Sequence, residues 1–175
     1  MITVEYNDIY DKNKKLTGRV HRRGKPWGVG EYGLVVCVWI YDGHGRILLT
    51  RRAPGKSFAG TWENSGGAAQ AGEDSLTAIQ RELWEETGIR AEASEFEFLH
   101  TTCDLHTFYD HYCLKWEGTV DQVVLLPGET DAAQWADFKT IHKMIRRGEI
   151  CRIIARQFLE EEPTLRNRQS AQEMN

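Results

Sequence analysis

From Gly33 to Tyr41 the chain reads Gly-Leu-Val-Val-Cys-Val-Trp-Ile-Tyr, an almost unbroken apolar run. A strand with one face in water alternates polar and apolar residues. This run predicts a strand buried on both faces, inside a sheet with layers on either side. Asp42-Gly43-His44-Gly45 is a strong turn signal, and Arg46 to Arg52 supplies the returning strand. These two strands are expected at the centre of an α/β domain. The 175 residues suffice for one domain with a proper core, and 41% hydrophobic with 27% charged residues is an ordinary globular balance.

The next segment, Ala53 to Asn64, is polar and glycine-rich and reads as a loop. It leads into Gly67-Ala-Ala-Gln-Ala-Gly-Glu73-Asp-Ser-Leu-Thr-Ala-Ile-Gln-Arg81-Glu82-Leu-Trp-Glu85-Glu86-Thr-Gly88-Ile89. On a helix Glu82, Glu85 and Glu86 stand at i, i+3 and i+4, so three carboxylates share one face. Leu76, Ile79 and Leu83 form a neighbouring stripe for the core. A solvated charged face is the bland alternative, and Arg81 with Glu85 would suit it as an i,i+4 pair. Glu82 and Glu86, however, are like charges one turn apart, which costs an isolated helix roughly 0.2 to 0.5 kcal/mol. A hard divalent cation with oxygen ligands, Mg²⁺ or Mn²⁺, would offset that repulsion. Gly66-Gly67 permits a tight turn that brings a carbonyl to such an ion. Asp74 or Ser75 can cap the helix start, and Gly88 suits its left-handed end.

The pattern of Gly67, Glu73, Arg81-Glu82, Leu83, Glu85-Glu86, Gly88 and Ile89 is the full signature of the Nudix hydrolase family, and the chain resembles that family on it. Arg46-Ile-Leu-Leu-Thr-Arg-Arg-Ala53, Phe58-Ala-Gly-Thr-Trp62 and Asn64-Ser65 are further similar to the branch containing isopentenyl-diphosphate isomerases and their hydrolase relatives. The resemblance spans about residues 5 to 147 and implies a Nudix α/β/α sandwich with a mixed central sheet. It implies metal-dependent cleavage of a diphosphate linkage in a nucleoside diphosphate derivative or related small molecule. Glu82, Glu85 and Glu86 would be the catalytic and metal-binding carboxylates, with the Gly67 carbonyl as a further ligand. Glu73 would support the loop and Arg81 would position a glutamate. The isomerases of that branch carry a cysteine just after the Trp-x-Asn-Ser segment and a glutamate on a later strand. Here Trp62-Glu-Asn-Ser65 is followed by Gly66-Gly67, and near Cys113 stand Asp110 and His111. Isomerase chemistry and a non-catalytic ligand-binding module are the two alternatives to hydrolysis. The resemblance also allows a homodimer.

Around this motif, Arg51, Arg52 and Lys56 are candidates for gripping a diphosphate, and Glu129 for an extra ligand or base. The N-terminal residues 1–32 read as a hairpin (Ile2 to Tyr10, then Leu16 to Val20) and a lead-in, rich in Lys and Arg that could rim a phosphate site. After the helix, Phe96 to Cys103, Thr107 to Trp116 and Val120 to Leu126 read as strands, Trp135 to Phe138 as a short one. Thr140 to Arg147 and Ile150 to Leu159 read as helices. His100, His106, His111, Asp104 and Asp110 have no metal-motif spacing and read as strand and turn residues. The domain is expected over 1–160, with 161–175 a polar tail. Cys37, Cys103, Cys113 and Cys151 read as reduced thiols. A net charge of -4 gives no reason to expect nucleic-acid binding, and no apolar run or signal-peptide pattern points to a membrane, so the expected location is cytoplasmic.

Overall fold

The computed structural model describes residues 4–170. A hairpin of β1 (Tyr6–Tyr10) and β2 (Leu16–Arg22) stands apart from a seven-stranded mixed sheet. That sheet contains β3 (Gly33–Tyr41), β4 (Arg46–Arg52), β5 (Trp62–Glu63), β6 (Ser65–Ala68), β7 (Phe96–Asp104), β8 (Thr107–Lys115) and β9 (Thr130–Asp137). Helices α1 (Ser75–Thr87), α2 (Phe138–Arg146) and α3 (Arg152–Ser170) complete the chain. Among the described residues no helix is long and apolar enough to cross a membrane.

β3 is buried on both faces, as its composition requires. Leu34, Val36, Val38 and Ile40 pack with Ile79 and Leu83 of α1, while Trp39 and Tyr41 pack with Phe138, Ile141, Phe158 and Leu165 of α2 and α3. These contacts make the α/β/α layering, and each fully buried aliphatic side chain contributes roughly 1.5 to 3 kcal/mol of hydrophobic stabilisation.

The sheet splits beside β3. β3 runs parallel to β8 along its whole length, but on its other edge it meets β4 only at Ile40–Leu48 and Tyr41–Ile47. Further back that edge is taken by β6, through Val35–Ala68 to Val38–Ser65. β4 diverges instead to pair with β5 and, on its far edge, with β9. The segment 62–68 therefore crosses a cleft between β3 and β4. α1 packs beside it, capped by Asp74, whose side chain accepts from Thr77 N–H at 2.7 Å, and closed by Gly88 at φ 70°.

Three expectations need correction. Val120 to Leu126 is no strand: it forms a 3-10 turn at Val120–Gln122 and an irregular stretch with Val124 and Leu126 exposed. The free edge of β4 is filled by Thr130–Asp137, so the strand expected from Trp135 begins earlier, and Phe138 opens α2. The polar tail expected from residue 161 is helical through Ser170; residues 171–175 lie outside the described part. Phe158 and Leu165, one heptad apart, are fully buried against the sheet, and the acidic Glu161 between them is buried as well. Polarity hid the second half of this helix, whose inward face includes a carboxylate that accepts from the Trp39 indole of β3.

Candidate active site

The carboxylates of α1 face the crossing segment of the split sheet. Gly67 makes the approach possible, because a Cβ there would stand 2.4 Å from the Glu82 carboxyl carbon. Gly66 is tighter still: a Cβ would meet Val36 O at 2.2 Å, so no side chain fits. The Gly66 N–H donates to Glu86 Oε2 at 3.1 Å. A cavity of about 340 Å³ opens here, bounded by Gly67, Glu82, Glu85 and Glu86 together with Glu63, Arg52, Lys56, Glu129 and Arg23.

Arg81 organises one side of it. Its guanidinium donates to both Glu73 oxygens at 2.6 and 2.9 Å, to Glu82 Oε1 at 2.9 Å, to Glu85 Oε2 at 3.0 Å and to Ala68 O at 3.1 Å. Glu73 also accepts from Gln70 N–H at 2.8 Å. Partial burial works against ionisation of Glu73, but the Arg81 and Gln70 hydrogen bonds outweigh it and leave the pKa lowered. Arg81 is correspondingly harder to deprotonate, chiefly through Glu73. The placement is that of a fixed strut between loop and helix.

On the other side, Arg52 pairs with Glu63 and Lys56 with Glu129, while among the described residues no ion pair reaches Glu86. Glu86 is crowded by protein, and that desolvation, followed by the charges of Glu63 and Glu82, raises its pKa well above the usual carboxylate range. Desolvation likewise raises Glu82, with Arg81 opposing. Carboxylates that hinder one another's ionisation, in an all-oxygen set, fit a hard divalent cation. Glu82, Glu86, Glu63 and Gly67 line the cavity where such an ion could be held, and Glu85, tied to Arg81 and more exposed, stands at its margin.

Glu63 was missed in the sequence. It lies in the Trp62-Glu-Asn-Ser65 segment used only as a family likeness, and a carboxylate directly before the glycine pair was the available signal. Arg52 donates to both its oxygens, at 2.8 and 2.7 Å. Burial raises the Glu63 pKa despite that partner. Arg51 and Arg52 part company because neighbours on a strand point to opposite faces. Arg51 pairs with Asp131 at 2.7 Å and stacks over Trp62, outside the cavity lining. Lys56 pairs with Glu129, both at the cavity. From the basic hairpin, Arg23 reaches the cavity, paired with Glu5.

Of the scattered histidines, the structure gathers His100 and His111 around Glu161 and leaves His106 elsewhere, its Nδ1 2.9 Å from Glu31 O. His111 Nδ1 lies 2.6 Å and His100 Nε2 3.2 Å from Glu161 Oε1. Trp39 Nε1 donates to the other oxygen, and His111 Nε2 contacts Thr102 Oγ1 at 2.9 Å. The two imidazoles are stacked, with centroids 4.6 Å apart and 16° between their planes, and one ligand atom from each and one from Glu161 all lie within 4.8 Å of one another. The cluster fastens α3 to the sheet.

With this geometry in view, the NUDIX domain model matches residues 31–153, most of the chain. The chain belongs to the Nudix family. An uncharacterized Nudix hydrolase of Listeria monocytogenes, lmo0368, is 36% identical over 89 residues, 50% of this chain and 53% of the relative. The chain thus spans about half the length of that relative. Isopentenyl-diphosphate Delta-isomerase 2 of Aromatoleum aromaticum is 30% identical over 147 residues, 80% of this chain and 75% of the relative. Among solved structures, DR0079 from Deinococcus radiodurans superposes with a TM-score of 0.71 at 23% identity, covering 84% of this chain and 92% of that one. At that identity the likeness shows the Nudix fold alone.

Proposed function

We propose that the protein is a metal-dependent hydrolase that cleaves a diphosphate linkage in a nucleoside diphosphate derivative or related small molecule. The observation that carries this is the set of Glu63, Glu82 and Glu86 around the Gly66-Gly67 backbone, recessed and without enough cations of their own. Mg²⁺ or Mn²⁺ bound there supplies Lewis-acid stabilisation of charge on the phosphoryl oxygens and lowers the pKa of water. Glu82 and Glu86 would hold it, and another carboxylate at the cavity would accept the proton of the attacking water. Arg81 keeps Glu82 in place through its hold on the Glu73 loop. Arg23, Arg52 and Lys56 surround the diphosphate with positive charge, each already held by an acidic partner.

An isomerase reading draws on the Aromatoleum relative. It founders on Gly66, where Val36 O leaves no space for a cysteine side chain. The test is phosphate and nucleotide release from NDP-sugars, ADP-ribose, dinucleoside polyphosphates, nucleoside triphosphates and isopentenyl diphosphate, with Mg²⁺ and with Mn²⁺. Cleavage abolished by metal chelation and by Glu82→Gln or Glu86→Gln is expected. Binding without turnover of any compound would sink the hydrolase and leave a ligand-binding module.

A further inference from the structure

Six carboxylates and four cationic side chains line the cavity beside α1, and each of the four cations is held by an acid. Arg81 is the strut between loop and helix, and Arg23 with Glu5 is an exposed pair of little weight. The other two pairs stand differently. Arg52 gives Nη1 to both oxygens of Glu63 and its Nε to Ser57 O at 2.6 Å. The side chains of that pair are only 20% and 11% exposed. Lys56 pairs with Glu129, and Ala53 N–H donates to Glu129 O at 2.9 Å, so the loop after β4 and the loop before β9 meet there. The groups suited to gripping a diphosphate are thus occupied by the chain itself, in a cavity whose excess of acid repels an anion.

The two acids have a second use. Burial first, and then the charges of Glu63, Glu82 and Glu129, oppose ionisation of Glu86. Glu63 and Glu129 therefore lie within electrostatic range of a cation bound by Glu86. An exchange of partners leaves no charge stranded: the two carboxylates turn to the metal, while the guanidinium and ammonium turn to phosphoryl oxygens, which suit them as well as a carboxylate does. Either ligand alone opens one half of each pair, and breaking a recessed pair from one side only is costly.

We propose that Glu63 and Glu129 mask Arg52 and Lys56, releasing them only when the two carboxylates turn to a divalent cation, so that metal binding is the condition for capture of the diphosphate. Glu63 and Glu129 are then positioning residues, acting through the two cations and not by touching the diphosphate. The masking keeps stray phosphate compounds out of the metal-free protein. By linkage, the diphosphate tightens metal binding by the same factor. This inference rests on the reading of the cavity as the metal and diphosphate site.

The test is calorimetric binding of methylenediphosphonate, whose P–C–P bridge resists hydrolysis, in EDTA and with Mg²⁺. It compares wild type with Glu63→Gln, Glu129→Gln, Glu85→Gln and the double variants Glu63→Gln/Arg52→Met and Glu129→Gln/Lys56→Met, folding being checked by thermal unfolding. In EDTA, Glu63→Gln should bind the diphosphonate about tenfold tighter than wild type, the worth of a charge-assisted contact set free. Glu129→Gln, at the more exposed pair, should gain about threefold. Each double variant should lose its gain. Glu85→Gln removes a charge from the same cavity beside Arg81 and leaves Arg52 and Lys56 paired, so it should gain less than either. A merely structural role for the two acids would weaken binding, not strengthen it. Metal-free affinity that is unchanged in the single variants, or raised no more than by Glu85→Gln, overturns the proposal. Glu129→Gln with its double variant decides the matter should Glu63→Gln fail to fold. Tighter metal-free binding in a protein that cleaves no diphosphate supports the masking and sinks the hydrolase reading, whereas turnover without that gain does the reverse.

Discussion

Glu86, half-buried at the cavity, and Glu161, buried, are both glutamates on helices packed against the same sheet, and their surroundings are opposite. Around Glu161 the chain has placed polar groups other than acids: the Trp39 indole donates to one oxygen, and the His111 and His100 rings lie 2.6 and 3.2 Å from the other. Around Glu86 it has placed more acids, Glu63 and Glu82 foremost, and one backbone N–H. A carboxylate whose partners are built in is part of the scaffold. One whose neighbours oppose its charge suits a cation from outside, which is the role proposed for Glu86.

Breaking the contrast on the Glu86 side should give the largest effect. Glu86→Gln is expected to lower metal-dependent turnover by about 10³-fold, since a metal's transition-state stabilisation is worth several kcal/mol. The same substitution removes a penalised charge, so thermal unfolding of the metal-free variant should occur at a higher temperature than that of metal-free wild type. A lower temperature would mean that Glu86 is a scaffold residue after all.

On the Glu161 side, Glu161→Ala should cost about 2 kcal/mol of stability by stranding the buried Trp39 N–H and loosening α3 from the sheet, read from urea unfolding. A cost near zero would erase the distinction.

The pH response sharpens it further. Glu63, Glu82 and Glu86 have folded-state pKa values raised above the unfolded ones, so the native state binds more protons than the unfolded chain between the two. Metal-free stability should therefore fall as pH rises from about 4.3, the ordinary glutamate value, through the raised values. The lowered pKa of Glu73 acts below that window, where stability is lost as pH falls. Unfolding temperatures at several pH values in EDTA should show the decline at higher pH, and Mg²⁺ should reverse it; a flat profile from pH 5 to 8 would contradict the arrangement. Smallest of all, Asp74→Ala removes the cap of α1 and should cost about 1 kcal/mol, with little change in metal affinity.

Much of the first cavity was legible in the chain because its residues are neighbours in sequence. Glu82, Glu85 and Glu86 meet by helical periodicity alone, and Gly66-Gly67 signals a close backbone approach without reference to the rest of the fold. Arg51 and Arg52 were not separable, since strand alternation says that they diverge but not which one faces the acids. Glu63 and Arg23 join the site through the split of the sheet and the docking of the hairpin, where Asn7 Nδ2 donates to Ala69 O at 2.7 Å and Asp8 accepts from Gly72 N–H at 2.7 Å.

The sequence by itself determined the doubly buried β3, the capped acidic helix beside it and membership of the Nudix family, because each depends on local periodicity or on a contiguous motif. Only the tertiary structure decided that Thr130–Asp137 and not Val120–Leu126 pairs with β4, that Glu63 joins the α1 carboxylates at one cavity, and that α3 continues to Ser170. Each of these depends on which groups, distant in the chain, are left without a partner once the sheet has formed, and that is a property of the assembled layers that no local pattern encodes.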